Sequence, residues 1–136
     1  MDAYRGRNRR VVEALDRMRA LAEAMARVLE GGDLDDLGRM VGEHWIYQRS
    51  LHPAITTARI ESIMERAARA GALGAKALGA SGGGCVLVMV PLERRQAVAG
   101  ALADLGELLD ARIDTSGLTV RATDLATRTG NERRAG

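Results

Sequence analysis

Gly71-Ala72-Leu73-Gly74-Ala75-Lys76-Ala77-Leu78-Gly79-Ala80-Ser81-Gly82-Gly83-Gly84-Cys85 is the stretch on which the fold of this 136-residue chain turns. Ala75 to Ala80 is short and small, Ser81 to Gly84 is pure turn sequence, and Cys85-Val86-Leu87-Val88-Met89-Val90 is a continuous β-prone run. The segment predicts a strand, a glycine turn and a buried central strand. Glycine, lacking Cβ, lets the backbone take positive φ and approach another backbone or a phosphate closely. Successive exposed N–H groups can also form a concavity suited to an anion. No Gly-Lys-Ser/Thr follows, and the next element is a strand rather than a helix, which excludes a Walker A loop and a Rossmann fingerprint. On glycine content alone, a tight structural hairpin is the simpler reading.

Ahead of this segment the pattern is helical. Val11, Leu15, Met18, Ala22, Met25 and Leu29 step by four and three, which places them on one face of a long amphipathic helix ended at Gly31-Gly32. Asp33 stands at an N-cap position with Asp35 and Asp36 in the favourable first turn of a second helix. The inner side of that helix would carry Leu37, Met40, Val41, Trp45 and Gln48, and His52-Pro53 breaks it. Thr56 or Thr57 can cap a third helix with a stripe of Ile60, Ile63, Met64, Ala67 and Ala68, closed by Gly71. After the hairpin, Pro91 suits the first turn of a fourth helix facing inward through Val98, Ala101, Leu102 and Leu105 and ending near Gly106. Leu109 to Asp114 and Leu118 to Ala122 flank Thr115-Ser116-Gly117 and predict a terminal hairpin. The order implies an α+β domain with an antiparallel sheet covered on one face. The expected domain is 1–126, with a polar, frayed tail at 127–136.

Composition narrows the function. With 46% hydrophobic and 28% charged residues the chain is balanced for one soluble domain with its own core. Lys+Arg 20 against Asp+Glu 18 gives +2, with the signs interspersed rather than gathered into a basic face. Aromatic residues are 2%, so there is almost no platform on which bases could stack, and nucleic acid is not an expected partner. The densest apolar run, Val86 to Pro91, is strand-sized, so no membrane span is expected. A single cysteine cannot form an internal disulfide, and the first residues carry no apolar run like a signal peptide; the expected compartment is the cytoplasm.

Individual residues support more than one reading. Lys76 is the only lysine in the chain: it could meet a phosphate or a partner carboxylate beside the glycine turn, or simply sit on an edge strand and discourage sheet pairing. Ser81 can donate to a ligand or bond its local backbone. His44 and His52 have no partners at metal-ligand spacing, so no metal site is expected, and a helical His44 beside Trp45 reads as a packed or capping residue. Cys85 reads as a small hydrophobe at the start of a buried strand. Asp33, Asp35 and Asp36 are explained by the helix N-terminus. Trp45 reads as a core anchor, and Arg49 as a cleft contact or a solvated side chain. No acid, base or nucleophile pair can be named, so no catalytic side chain is assigned.

The whole segment Gly71 to Cys85 closely resembles the third motif of the GHMP small-molecule kinases, the family of galactokinase, homoserine kinase, mevalonate kinase and phosphomevalonate kinase. Glu43-His44-Trp45 through Arg49-Ser50-Leu51, then Ile55-Thr56 and Ile60 to Ala68, resemble the helix pair ahead of that motif in the sugar-kinase branch acting on heptose 7-phosphate or fucose. Pro91-Leu92-Glu93-Arg94-Arg95 and the Gly117 turn resemble the family's segments on the C-terminal side of the motif, so the likeness runs from about Val11 to Val120. It implies a ferredoxin-like C-terminal domain with a four-stranded antiparallel sheet, and transfer of the ATP γ-phosphoryl group to a small metabolite, a sugar or sugar phosphate.

In that family ATP and Mg²⁺ are bound mainly by a separate N-terminal domain carrying a Pro-x-x-x-Gly-Leu-Gly-Ser-Ser-Ala loop. No stretch of these 136 residues has that pattern. The expectation is therefore a domain that is inactive alone and needs its N-terminal partner in cis or in trans. Gly79, Ala80, Ser81, Gly82, Gly83 and Gly84 would line the interdomain cleft near phosphate or acceptor, with Lys76, Arg49 and His44 as candidate cleft contacts. Ser81 stands where a further glycine is usual, and Gln48 where the sugar-kinase branch typically has lysine. The alternative is a free-standing, non-catalytic binding or dimerisation module that kept the fold, since a domain parted from its partner exposes apolar surface.

Overall fold

The computed structural model of the protein describes residues 9–79 and 83–120. Helix α1 spans Arg9–Gly31 and α2 spans Leu34–Ser50. A 3₁₀ turn at Pro53–Ile55 leads into α3, Ala58–Arg69. Strands β1, Gly74–Ala77, and β2, Val86–Met89, form an antiparallel pair. A second 3₁₀ turn, Leu92–Arg94, runs into α4, Arg95–Leu102, so Pro91 caps the 3₁₀ turn rather than lying in the first turn of the fourth helix.

The caps explain why the helices start where they do. Asp33 Oδ1 accepts the Asp36 N–H at 2.9 Å, and Thr57 Oγ1 accepts the Ile60 N–H at 3.2 Å, each satisfying one orphan donor of a first turn. Thr57 is thus the cap of α3. Thr56 instead donates its hydroxyl to Glu61 at 2.6 Å. Gly71, at φ 101°, turns the chain out of α3 in a conformation that costs glycine nothing.

The inner stripe of α1 differs from the expected one in its second half. Val11, Leu15, Met18 and Met25 are at least half-buried as read, but Leu21 and Val28 face inward in place of Ala22 and Leu29, and Leu29 is 56% exposed. Val11, Ala14, Met18, Leu21, Met25 and Val28 alternate steps of three and four, the seam a helix makes when packed lengthwise on another. That partner is α2.

Trp45, only 4% exposed, anchors the core together with Ile60 and Ala77, with Ile55 and Met64 packed on them. Val98 brings in α4, and Arg66 ties α3 to the chain after α4 through Asp104 at 2.6 Å. Helix α2 lies against β1 through glycines. A Cβ on Gly74 would overlap the Gly38 carbonyl oxygen and reach within 2.6 Å of the Gly42 nitrogen, so backbone meets backbone here.

Two expectations are corrected. The strand β2 is not a buried central strand: Leu87 is 38% exposed, because among the described residues β2 has a single neighbour, β1. The terminal hairpin at Leu109 to Asp114 and Leu118 to Ala122 takes no strand among the described residues, and the sheet there has two strands rather than four. Ile113 and Leu118 are 93% and 92% exposed, so this segment packs its apolar residues on nothing among the described residues. Residues 121–136, which include Ala122 and the expected tail, lie outside the described residues.

Candidate functional site

The hairpin of β1 and β2 closes as the sequence predicts. Gly74 opposes Met89, Ala75 opposes Val88, Lys76 opposes Leu87 and Ala77 opposes Val86. One further backbone bond, Leu78 N–H to the Cys85 carbonyl at 2.9 Å, frames the glycine turn. Gly79 at φ 73° and Gly84 at φ 94° bracket that turn in the left-handed region. Ala80, Ser81 and Gly82 lie outside the described residues. A Cβ at Gly79, Gly83 or Gly84 would meet nothing within 4 Å among the described residues. Cys85, read as part of a buried strand, is exposed, because it lies at the mouth of the hairpin one residue before β2 begins.

Lys76 and His44 come together from different elements. Lys76 Nζ lies 3.2 Å from His44 Nδ1, joining β1 to α2. Both side chains are half-buried. Burial, with the neighbouring Lys76 charge adding to it, holds the His44 imidazole below its ordinary range, and burial also lowers Lys76. Gln48, one turn beyond His44 on α2, donates its side-chain amide to the Ala77 carbonyl at 3.4 Å. Arg49 points elsewhere: its guanidinium pairs with Glu61 of α3 at 3.1 Å. The structure thus gathers Lys76 and His44 beside the strand that leads into the glycine turn, while Arg49 braces α2 against α3.

Three residues escaped the reading of the sequence. Gly38 and Gly42 on α2, with Gly74 on β1, let helix and strand approach to contact and so set where Lys76 and His44 meet. The available signal was a pair of glycines four apart on the inner side of a helix, a spacing that permits close backbone approach. A cavity of about 190 Å³ lies between α2, α3 and β1, lined by Trp45, Met64, Ala67, Ala72, Leu73 and Ala75 among others. Its walls are apolar and belong to the core rather than to the glycine turn. Among the described residues no group of three His, Cys, Asp or Glu is placed to hold a metal ion, so no chemical step is derived through Mg²⁺. No helix of the described residues is long and apolar enough to cross a membrane.

The described helices and the small antiparallel sheet make an α+β domain. The chain belongs to the GHMP kinase family: the family of GHMP kinases C terminal domains matches residues 11–108. It is 54% identical over 46 residues to galactokinase of Mycobacterium tuberculosis (strain H37Rv), a match covering 34% of this chain and 13% of that protein. Galactokinase of Mycobacterium bovis (strain AF2122/97) matches to the same extent. The fold is similar to that of L. major mevalonate kinase, solved in complex with R-mevalonate. There the TM-score is 0.61 at 24% identity, over 76% of this chain and 32% of that one. The chain thus spans about an eighth of the length of the curated relatives it matches.

Proposed function

We propose that this chain forms the C-terminal half of an ATP-dependent kinase of a sugar or sugar phosphate, completed by an N-terminal ATP-binding domain in cis or in trans. The observation that carries the reading is the family match over residues 11–108, which takes in the glycine segment between β1 and β2. Among the described residues nothing stands within 4 Å of where a Cβ on Gly83 would lie. The room it leaves suits a phosphate or the facing domain. On this reading Gly79 to Gly84 floor the interdomain cleft, with Lys76 and His44 at its side and Arg49 bracing the helix that bears His44. When bound, MgATP supplies the phosphoryl group. The chain's own residues supply position and charge, which is most of what such transfer requires. The same reading carries a ferredoxin-like fold for the complete enzyme and a cytoplasmic setting.

The test is to assay ATP-dependent phosphorylation of a panel of sugars and sugar phosphates by this chain, alone and with a GHMP ATP-binding domain fused to it or mixed with it. Turnover in the combination and none alone is the expected result. A second reading, a non-catalytic binding or dimerisation module, is favoured by the exposed Leu92, Ile113 and Leu118. It would replace the first if the chain purifies as a homodimer and no combination turns over.

A further inference from the structure

We propose that Lys76 and His44 together form a binding site for a phosphate group carried by the substrate or the nucleotide. Among the described residues Lys76 enters no ion pair, and its polar contact is with His44 Nδ1. Arg49, Arg66 and Arg69, by contrast, each pair with a carboxylate. A half-buried ammonium is ordinarily neutralised by an acid, because burial penalises its charge. Here its neighbour is an imidazole, which leaves the positive charge in place.

The contact also settles which proton His44 carries. An ammonium has N–H donors and no acceptor, so in this contact Nζ donates and Nδ1 accepts, which puts the imidazole proton on Nε2. The ring is therefore neutral, and among the described residues its Nε2–H and two ammonium N–H groups stay available as donors. Burial keeps both groups below their ordinary ranges, in line with a pair that holds one positive charge rather than two.

Placement is as rigid as the chain provides. Lys76 is in the middle of β1 and His44 is on α2, and the two elements are pressed together by Gly38, Gly42 and Gly74. The cross-strand neighbour of Lys76 is Leu87, an apolar side chain that neither neutralises the charge nor competes for an anion. A phosphate matches this set, with several acceptor oxygens to meet a fixed cation and a neutral N–H donor. The inference rests on the kinase reading for the source of the phosphate, which is either an acceptor sugar phosphate or a nucleotide.

The experiment tracks the imidazole resonances of His44 in the ¹⁵N-labelled 136-residue chain by NMR, with His52 as internal reference. Inorganic phosphate is titrated against chloride at matched ionic strength and neutral pH. A saturable shift at His44 and none at His52 is expected, with affinity reduced roughly tenfold in Lys76→Met. Lys76→Gln, which keeps a polar end, is the second variant should the first fail to fold. No saturable shift at His44, an equal response at His52, or unchanged affinity in both variants overturns the proposal. Glucose 6-phosphate and ADP are then titrated, and the one that binds more tightly than inorganic phosphate names the source. Binding with no turnover in any reconstituted combination would sink the kinase reading alone. Turnover indifferent to Lys76→Met, with no shift at His44, would sink this site alone.

Discussion

Two sets of glycines lie a few residues apart and serve opposite purposes. Gly74, with Gly38 and Gly42 facing it, is glycine because the chain itself fills the space where a side chain would stand. Gly79, Gly83 and Gly84 are surrounded by open space. At Gly79 and Gly84 the left-handed backbone accounts for the residue type. Close neighbours mark a glycine that packing requires, whereas open space by itself assigns no role, since Gly31, Gly100 and Gly106 have it too.

Substitutions can break that contrast, and the largest effect is expected at Gly74. In Gly74→Ala the new methyl meets the backbone of α2, which cannot yield as a side chain would, so a loss of roughly 3 kcal/mol is expected in urea denaturation. Gly38→Ala comes next. Its methyl would lie 2.8 Å from the Leu73 Cβ, a comparable clash, but alanine recovers about 1 kcal/mol of helix propensity, leaving a net loss of about 2 kcal/mol. Gly83→Ala should change stability by no more than about 0.5 kcal/mol while lowering phosphoryl transfer in the reconstituted enzyme. Equal destabilisation by Gly83→Ala and Gly74→Ala would erase the distinction.

The smallest effect is one of pH. His44 has its folded pKa below the ordinary histidine value of 6.5, so the unfolded chain takes up this proton first on acidification. Its contribution to stability is fully present above about pH 6.5 and is lost as pH falls through the folded value. Denaturation midpoints should therefore decline between neutral and mildly acidic pH. In Lys76→Met the decline should be shallower but still present, since burial is the larger cause and the lysine charge the smaller.

Much of this was legible because it is local. The spans of α1, α2 and α3 follow from the spacing of apolar residues, and Asp33 and Thr57 announce their caps by residue type and position. The hairpin follows from a small-residue run, a glycine turn and Val86-Leu87-Val88-Met89. Other features depend on what each element meets. Leu21 rather than Ala22 faces inward because α2 lies along α1. Cys85 is exposed because the ladder ends at the turn. Segment 109–120 has the residues of a hairpin, but it takes no strand and leaves the open edge of β2 unpaired among the described residues.

For the site the division is the same. The sequence by itself determined the family, the helix caps and the glycine turn, since these are written in contiguous residues whose local preferences agree. Only the tertiary structure decided that Lys76 meets an imidazole rather than a carboxylate and that Arg49 is held by Glu61. Lys76 and His44 are 32 positions apart, and their contact exists because three glycines let α2 and β1 touch. A contact set by how closely two backbones approach leaves no mark on the pattern of either segment alone.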